Sequence, residues 1–157
     1  MSRIVFDAAA GIEVARSPER VWEWVNRLPG ALQSVPIIRD VREVVPGERY
    51  VLGLGRFGAG RFEVDVSCDM TVERDAPRAV AFDTVPGTGN ADVRMCLTLE
   101  PRAGVATRIE ATIRISPHPD VPRFVPVQPI VAAARASVAF GLAKGLERMK
   151  QDLEREP

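Results

Sequence analysis

The feature that most constrains the fold is the stretch from Ile130 to Glu154, which contains no proline and has the period of a long helix. Its apolar residues recur at steps of three and four and therefore share one side of a helix. They are Val131, Ala134, Val138, Leu142, Leu146, Met149 and Leu153. At ~1.5 Å per residue the helix is roughly 37 Å long. It needs a large apolar surface to lie on.

The first two-thirds of this helix are rich in small residues. They are Ala132, Ala133, Ala134, Ala136, Ser137, Ala139, Gly141, Ala143 and Gly145. Since alanine and glycine cannot fill a wide gap against a strongly curved surface, we expect the helix to leave space beside it. The helical angle of Arg135 falls within the apolar stripe, so we expect this arginine on the same side of the helix as the stripe.

Length and composition indicate one globular domain spanning residues 1–157. A chain of this size buries about 70% of its unfolded surface. The formal net charge is zero, so no overall field attracts nucleic acid or acidic membranes. No apolar run approaches the ~18 residues that span a bilayer, and the N-terminus lacks a signal-peptide core, so a cytoplasmic location is expected. Cys68 and Cys96 are expected to be free thiols.

The middle of the chain has the period of two that is typical of strands. The clearest alternation runs over residues 62–73, where the apolar members are Phe62, Val64, Val66, Cys68, Met70 and Val72. Other strands are predicted at 4–15, 37–45, 50–57, 80–84, 91–99 and 108–115. Short links force antiparallel neighbours, and the long helix must cover the apolar face of the resulting meander. The five prolines of Pro117 to Pro129 predict an extended loop before that helix.

A short helix is predicted after the first strand. Ser17 is a good N-cap and Pro18 suits the first helical position. Its apolar side is assigned to Val21, Trp22, Val25 and Leu28, with Trp24 pointing elsewhere. Pro29-Gly30 ends it, and residues 31–35 could form a second short helix.

The order of these elements and one local motif resemble the START-like (SRPBCC) superfamily, which includes birch-pollen-allergen-like and polyketide cyclase/dehydrase-like proteins. The motif is Val14-Ala15-Arg16-Ser17-Pro18-Glu19-Arg20-Val21-Trp22, which is similar to the superfamily's strand followed by an S-P-x-x-V-W helix. The resemblance implies an α+β helix-grip fold, in which a curved six- to seven-stranded antiparallel sheet wraps around the long C-terminal helix, with two short helices after the first strand. It also implies a cavity for lipids, sterols, polyketides or other apolar molecules.

The residues expected to line that cavity come from the apolar face of the sheet and from the helix stripe. They are Val64, Val66, Cys68, Phe82, Met95, Leu97, Ile113, Ala134, Val138, Gly141 and Leu142. Most of them also form the core. Tyr50, Arg114, His118 and Arg135 are the candidate polar contacts, although alternation should turn Arg114 away from the cavity.

Sites of other kinds have little support in the sequence. Gly53 to Gly58 matches G-x-G-x-x-G, but a strand follows it where a dinucleotide site needs a helix, so it is interpreted as a glycine-rich bend. His118 is the only histidine, and it has no nearby set of metal-ligating residues. No metal and no cofactor are therefore expected, and the catalytic residues, if any, are not identified.

Three functions remain open. The first is binding of a small hydrophobic or amphipathic molecule between sheet and helix. The second is a cyclase or dehydratase activity, which needs two polar side chains converging in the cavity. The third is an accessory or interaction protein, resembling the accessory proteins of carbon monoxide dehydrogenase within this superfamily, which would show a filled cavity and an exposed patch around Trp24, Phe124 and Val125. The expected partner is a small apolar molecule, a homodimer is compatible with the sequence, and neither nucleic acid nor a membrane-spanning segment is expected.

Overall fold

Seven strands and two helices make up the part of the chain that the computed structural model describes, namely residues 5–27, 39–57, 64–117 and 127–155. In chain order they are β1 (Phe6–Val14), α1 (Pro18–Val25), β2 (Asp40–Val45), β3 (Arg49–Phe57), β4 (Val64–Asp75), β5 (Ala79–Thr84), β6 (Ala91–Arg102), β7 (Ala106–Pro117) and α2 (Val127–Arg155). The second short helix predicted at residues 31–35 lies outside the described residues.

All seven strands form one antiparallel sheet in the order β1-β7-β6-β5-β4-β3-β2. The expected meander is confirmed for β2 to β7, because each of these strands pairs with the next along the chain. β1 pairs with β7 over its whole length, from Phe6 opposite Ile115 to Val14 opposite Thr107. The first strand therefore becomes an edge of the sheet beside the last one, and the α+β helix-grip fold is confirmed.

The glycine-rich segment of β3 is part of the sheet. The register between β3 and β4 shifts between Gly53 and Gly55, which is the signature of a β-bulge. An extra residue at this point bends the strand and increases its twist. The predicted bend is confirmed, and the segment opens no helix that could present its amides to a phosphate.

Helix α1 begins as predicted but buries a different tryptophan. The Ser17 hydroxyl accepts a hydrogen bond from the backbone N–H of Arg20, and Pro18 occupies the first turn. Trp24 is buried, whereas Trp22 is only partly buried, so the prediction that Trp24 points elsewhere is wrong. Val21, Trp24 and Val25 share one side of the helix by their spacing of three and four, and this side contacts the sheet at β6 and β7.

Helix α2 confirms the predicted stripe, but it starts earlier than expected. It begins at Val127 and contains Pro129, so the predicted loop from Pro117 to Pro129 was too long at both ends. A proline in the first turn of a helix removes an N–H that has no intrahelical partner, so Pro129 does not interrupt the helix. Residues 118–126 lie outside the described residues. Of the stripe, Val131 is partly buried and the other six residues are buried.

The position of α2 is set by β1. Among the described strands, β1 is the only one that α2 follows closely along its length. The two elements run parallel, since Arg135 Nε lies 3.4 Å from Asp7 Oδ1 and Lys150 Nζ donates a 3.1 Å hydrogen bond to the carbonyl of Glu13. Small side chains on β1, including Ala8 and Ala10, allow this close approach.

The small residues of α2 have two different environments. Ala134, Gly141 and Gly145 are buried, and Ala139 is partly buried. The other five are exposed, namely Ala132, Ala133, Ala136, Ser137 and Ala143. Only the buried members can leave room inside the fold, so the expectation of space beside a thin helix applies to a smaller part of α2 than the composition suggested.

Candidate functional site

The inner face of the sheet, which faces α2, is built from rows of apolar side chains that cross the strands. The register places Ala8, Ile113, Met95 and Phe82 side by side on β1, β7, β6 and β5. The next row contains Ala10, Ala111, Leu97 and Val80 on the same four strands. The second row has two alanines beside Leu97, so its side chains extend less far from the sheet than those of the first row.

Several inward-facing residues of β6 and α2 retain some accessible surface. On β6, Met95 is 8% exposed, Leu99 is 6% exposed and Leu97 between them is only partly buried. On α2, Ala134 and Leu142 are each 7% exposed. By contrast, Met70 of β4 and Phe82 of β5 are at most 2% exposed, although Val72 of β4 is only partly buried. These residues make the region between β6 and α2, beside Leu97, the candidate ligand site.

The structure brings together most of the residues predicted to line a cavity. Those that are buried in the core cluster are Val66, Cys68, Phe82, Met95, Ile113, Ala134, Val138 and Leu142, with Leu97 packed against them. Gly141 is also buried. Val64 starts β4, but its side chain lies outside the described part, as does all of His118.

Tyr50 is buried, but its hydroxyl is engaged at the end of the sheet. Burial raises the pKa of this phenol and the charge of Glu43 raises it further, whereas the charge and hydrogen bond of Arg74 lower it. Arg74 in turn donates to the carbonyl of Gly47 at 2.8 Å, in the β2–β3 turn. The hydroxyl thus interacts with Arg74 near the β2–β3 turn.

The two predicted arginine contacts lie outside the space between sheet and helix. Arg114 is exposed on the outer face of the sheet, as alternation predicted. Arg135 is also exposed, so its predicted sheet-facing position is wrong. The reason is that α2 lies along the edge strand β1, so that Arg135 can extend over the edge of the sheet to Asp7 of that strand.

The described polar groups of the inner face are committed to the protein itself. The Thr84 hydroxyl accepts from the N–H of Val93 at 2.6 Å and donates to its carbonyl at 3.0 Å, and Thr107 Oγ1 donates to Arg16 O at 2.8 Å. Burial raises the pKa of the Cys68 thiol to about 11, although a hydrogen bond with Thr84 partly opposes this. A thiol with this pKa is protonated at neutral pH and is not a nucleophile.

Two inward-facing residues were missed by reasoning from the sequence. Leu99 continues the alternation of Met95 and Leu97, and this period could have placed it in the site. Trp24 is 8% exposed and lies on the α1 side that packs against β6. Trp24 is three residues after Val21 and four before Leu28, which is the spacing of a helical stripe. Trp22 fits a stripe equally well, so only packing decides which tryptophan is buried.

Metal clusters and membrane-spanning helices are both absent from the described ranges. No three histidine, cysteine, aspartate or glutamate side chains come together in an arrangement that could hold a metal ion in residues 5–27, 39–57, 64–117 and 127–155. None of the helices in that part of the chain is both long and apolar enough to cross a bilayer.

Solved structures with the same fold are numerous. A START superfamily protein from Mycobacterium smegmatis superposes with a TM-score of 0.66 at 16% identity, covering 99% of this chain and 100% of the other. The di-domain ARO/CYC StfQ of the steffimycin biosynthetic pathway gives 0.67 at 10% identity, covering 97% of this chain and 51% of the other. Norcoclaurine synthase from Thalictrum flavum, in complex with dopamine and hydroxybenzaldehyde, gives 0.64 at 14% identity, with 99% and 90% covered.

These identities are low, so the structural likeness shows the fold alone. A search of curated protein sequences found no match. The sequence does match one protein family over residues 6–154, which includes every strand and both helices except the last residue of α2. The chain therefore has the fold of START superfamily proteins and belongs to the polyketide cyclase / dehydrase and lipid transport family.

Proposed function

We propose that the protein is a single domain that binds a small apolar or amphipathic molecule between the inner face of its sheet and α2. The observation that carries this proposal is the accessible surface retained by Met95, Leu97 and Leu99 on β6 and by Ala134 and Leu142 on α2. Removal of ligand surface from water would drive binding, at ~25 cal/mol per Å² before ordering costs.

The chemistry of the inner face favours binding over catalysis. Among the described inward-facing residues, Thr84 and Thr107 use their hydroxyls for backbone hydrogen bonds, and the Cys68 thiol is held neutral by burial. General acid/base catalysis needs a group that can gain or lose a proton near neutral pH. None of these three groups meets that requirement.

The accessory-protein hypothesis loses one of its supports. Trp24 was one of three residues suggested for its exposed apolar patch, and this side chain is buried against the core. Phe124 and Val125 lie outside the described residues. Phe140 on α2 is a large apolar side chain that is 65% exposed.

Native mass spectrometry of freshly purified protein, compared with its denatured mass, tests whether a ligand is retained. Titration with a neutral apolar fluorophore such as Nile red then gives an affinity. Ala134→Leu should fill the accessible space and weaken Nile red binding by about tenfold. Ala136→Leu adds the same atoms to the exposed side of the same helix and should leave binding unchanged. Equal affinities for both variants, with no retained mass, would overturn the proposal.

A further inference from the structure

The outer face of the sheet carries two arginines directly opposite each other on neighbouring strands. Arg94 on β6 is the register partner of Arg114 on β7, and we call them the arginine pair. Like charges placed opposite each other across two strands repel. The row continues to Asp7 on β1 and to Asp83 on β5, so that two carboxylates flank the two guanidinium groups.

The flanking carboxylates do not neutralise the pair equally. Asp83 Oδ2 lies 3.2 Å from Arg94 Nη1, so Arg94 has an ion-pair partner. Asp7 pairs instead with Arg135 of α2, at 3.4 Å. Within the described part of the chain, Arg114 makes no ion pair and no side-chain hydrogen bond. The guanidinium of Arg114 thus has its donors free of any partner among the described residues.

Two depressions lie on either side of the arginine pair, and both are lined by Arg94 and Arg114. The first, of about 470 Å³, has a floor of small side chains in one cross-strand row, namely Ala9, Thr112 and Cys96. We call it the outer depression. The second, of about 390 Å³, also contains the carboxylates of Asp83 and Asp92.

Charge decides which of the two depressions suits an anion. The outer depression contains the two arginines and one carboxylate, that of Asp7, which already has Arg135 as its partner. The second depression sets two carboxylates against the same two arginines. A planar guanidinium with free donors binds a carboxylate or a phosphate through two parallel hydrogen bonds. The Thr112 hydroxyl on the floor can donate a third.

We propose that the outer depression binds the carboxylate or phosphate group of a small anion, held by Arg114 with Arg94 and placed over Ala9, Thr112 and Cys96. This site lies on the opposite face of the sheet from the space beside Leu97. Its occupancy is therefore independent of the proposed apolar ligand. A bound anion would also relieve the repulsion within the arginine pair.

Cys96 provides a probe inside the outer depression. It is partly exposed, whereas Cys68 is buried on the other face, so peptide mass spectrometry can follow its alkylation separately. Iodoacetate is an anion and iodoacetamide is neutral, and both react with the thiolate. The ratio of their rates at Cys96 therefore reports the local potential and does not depend on the ionised fraction of the thiol.

At low ionic strength, Arg114→Gln should lower the iodoacetate/iodoacetamide rate ratio at Cys96 by about threefold, the effect of one unit charge at roughly 6 Å in water. Arg102→Gln removes the same charge from the far end of β6, where Arg102 pairs with Glu100, and should leave the ratio unchanged. An unaltered ratio in Arg114→Gln would contradict the proposed positive potential.

Binding itself is tested by protection. Inorganic phosphate and malonate, titrated separately, should slow the reaction of Cys96 with iodoacetamide in a saturable way in the unmodified protein. Arg114→Gln should weaken the protection by at least about tenfold. The two titrations show whether phosphate or carboxylate is preferred. Protection that chloride reproduces at matched ionic strength, or that is the same in Arg114→Gln, would overturn the proposal.

Discussion

The long helix α2 meets the rest of the fold in two different ways. Along β1 the contact is close, and α2 also makes an ion pair with Asp7 near its start and a hydrogen bond from Ala15 N–H to Glu154 near its end. Facing β6 the contact is looser, because Leu97 keeps accessible surface beside the alanines of its row. We call these the β1 side and the β6 side of α2. The difference supports the proposal that the β1 side holds the helix in place and that a guest molecule binds on the β6 side.

The comparison is tested most strongly by two leucine truncations. Leu146 on α2 is 4% exposed and lies beside Ile12 on the β1 side, so Leu146→Ala should lower the free energy of unfolding by about 2–5 kcal/mol. Leu97→Ala, on the β6 side, removes the same atoms from a site that is only partly buried and should cost about half as much. Urea denaturation of both variants gives the two values, and equal losses would remove the distinction between the sides.

The pH dependence of the free energy of unfolding tests how far the solvent-excluded part of the inner face extends. The pKa of Cys68 is raised from its ordinary value of 9.0 to about 11. Below pH 9 the thiol is protonated in both states, so its contribution is fully present. Between pH 9 and 11 the unfolded state loses a proton that the folded state keeps, and the free energy of unfolding should fall by about 2–3 kcal/mol.

Urea denaturation across this pH range, on the unmodified protein and on Cys68→Ala, isolates the effect of the thiol. The decline attributed to Cys68 should be absent from the variant, whose remaining slope is subtracted. Cys96→Ala serves as the control, because Cys96 lies on the outer face. Parallel pH profiles for the unmodified protein and Cys68→Ala would mean that water reaches β4.

Larger side chains on the two faces of β1 should have different effects on stability. Ala8 packs against the core on the inner face, whereas its neighbour Ala9 is exposed on the outer face. Ala8→Leu should therefore force α2 away from β1 and cost about 1–3 kcal/mol. Ala9→Leu should change stability by less than about 0.5 kcal/mol. Thermal denaturation of both variants measures the difference. If Ala8→Leu does not lower stability, the β1 side is not tightly packed.

The smallest effect is expected from the ion pair at the start of α2. Arg135 and Asp7 are both mostly exposed, so solvent screens their attraction. Arg135→Gln should change the free energy of unfolding by less than about 1 kcal/mol. A loss above about 2 kcal/mol in urea denaturation would mean that this pair, and not the apolar packing, positions the helix.

Periodicity in the sequence predicted most of the fold because it reports which face of an element is apolar. It placed Met95 and Ile113 on one face of the sheet, Arg114 on the other, and Leu146 in the stripe of α2. It could not predict which element each face would meet. The choice between Trp22 and Trp24, like the position of α2 along β1, depends on contacts between residues far apart in the chain.

The candidate site was less predictable for the same reason. The alternation identified Leu97 as inward-facing, but the proposed space beside it depends on Ala10 and Ala111 being brought into its row by strands from opposite ends of the chain. Similarly, among the described residues Arg114 has no ion-pair partner, while Asp7, opposite it on β1, pairs with Arg135. Neither relation is visible in the local sequence.

The pairing of β1 with α2 has a consequence for biosynthesis. Residues 6–14 are made first among the elements, but their strand partner β7 is about 100 residues downstream and the helix that covers them follows later still. During translation the apolar inner face therefore remains uncovered until α2 has left the ribosome. A ribosome that stalls before residue 127 would hold a nascent sheet with an open apolar face, which is a substrate for chaperones and a nucleus for aggregation.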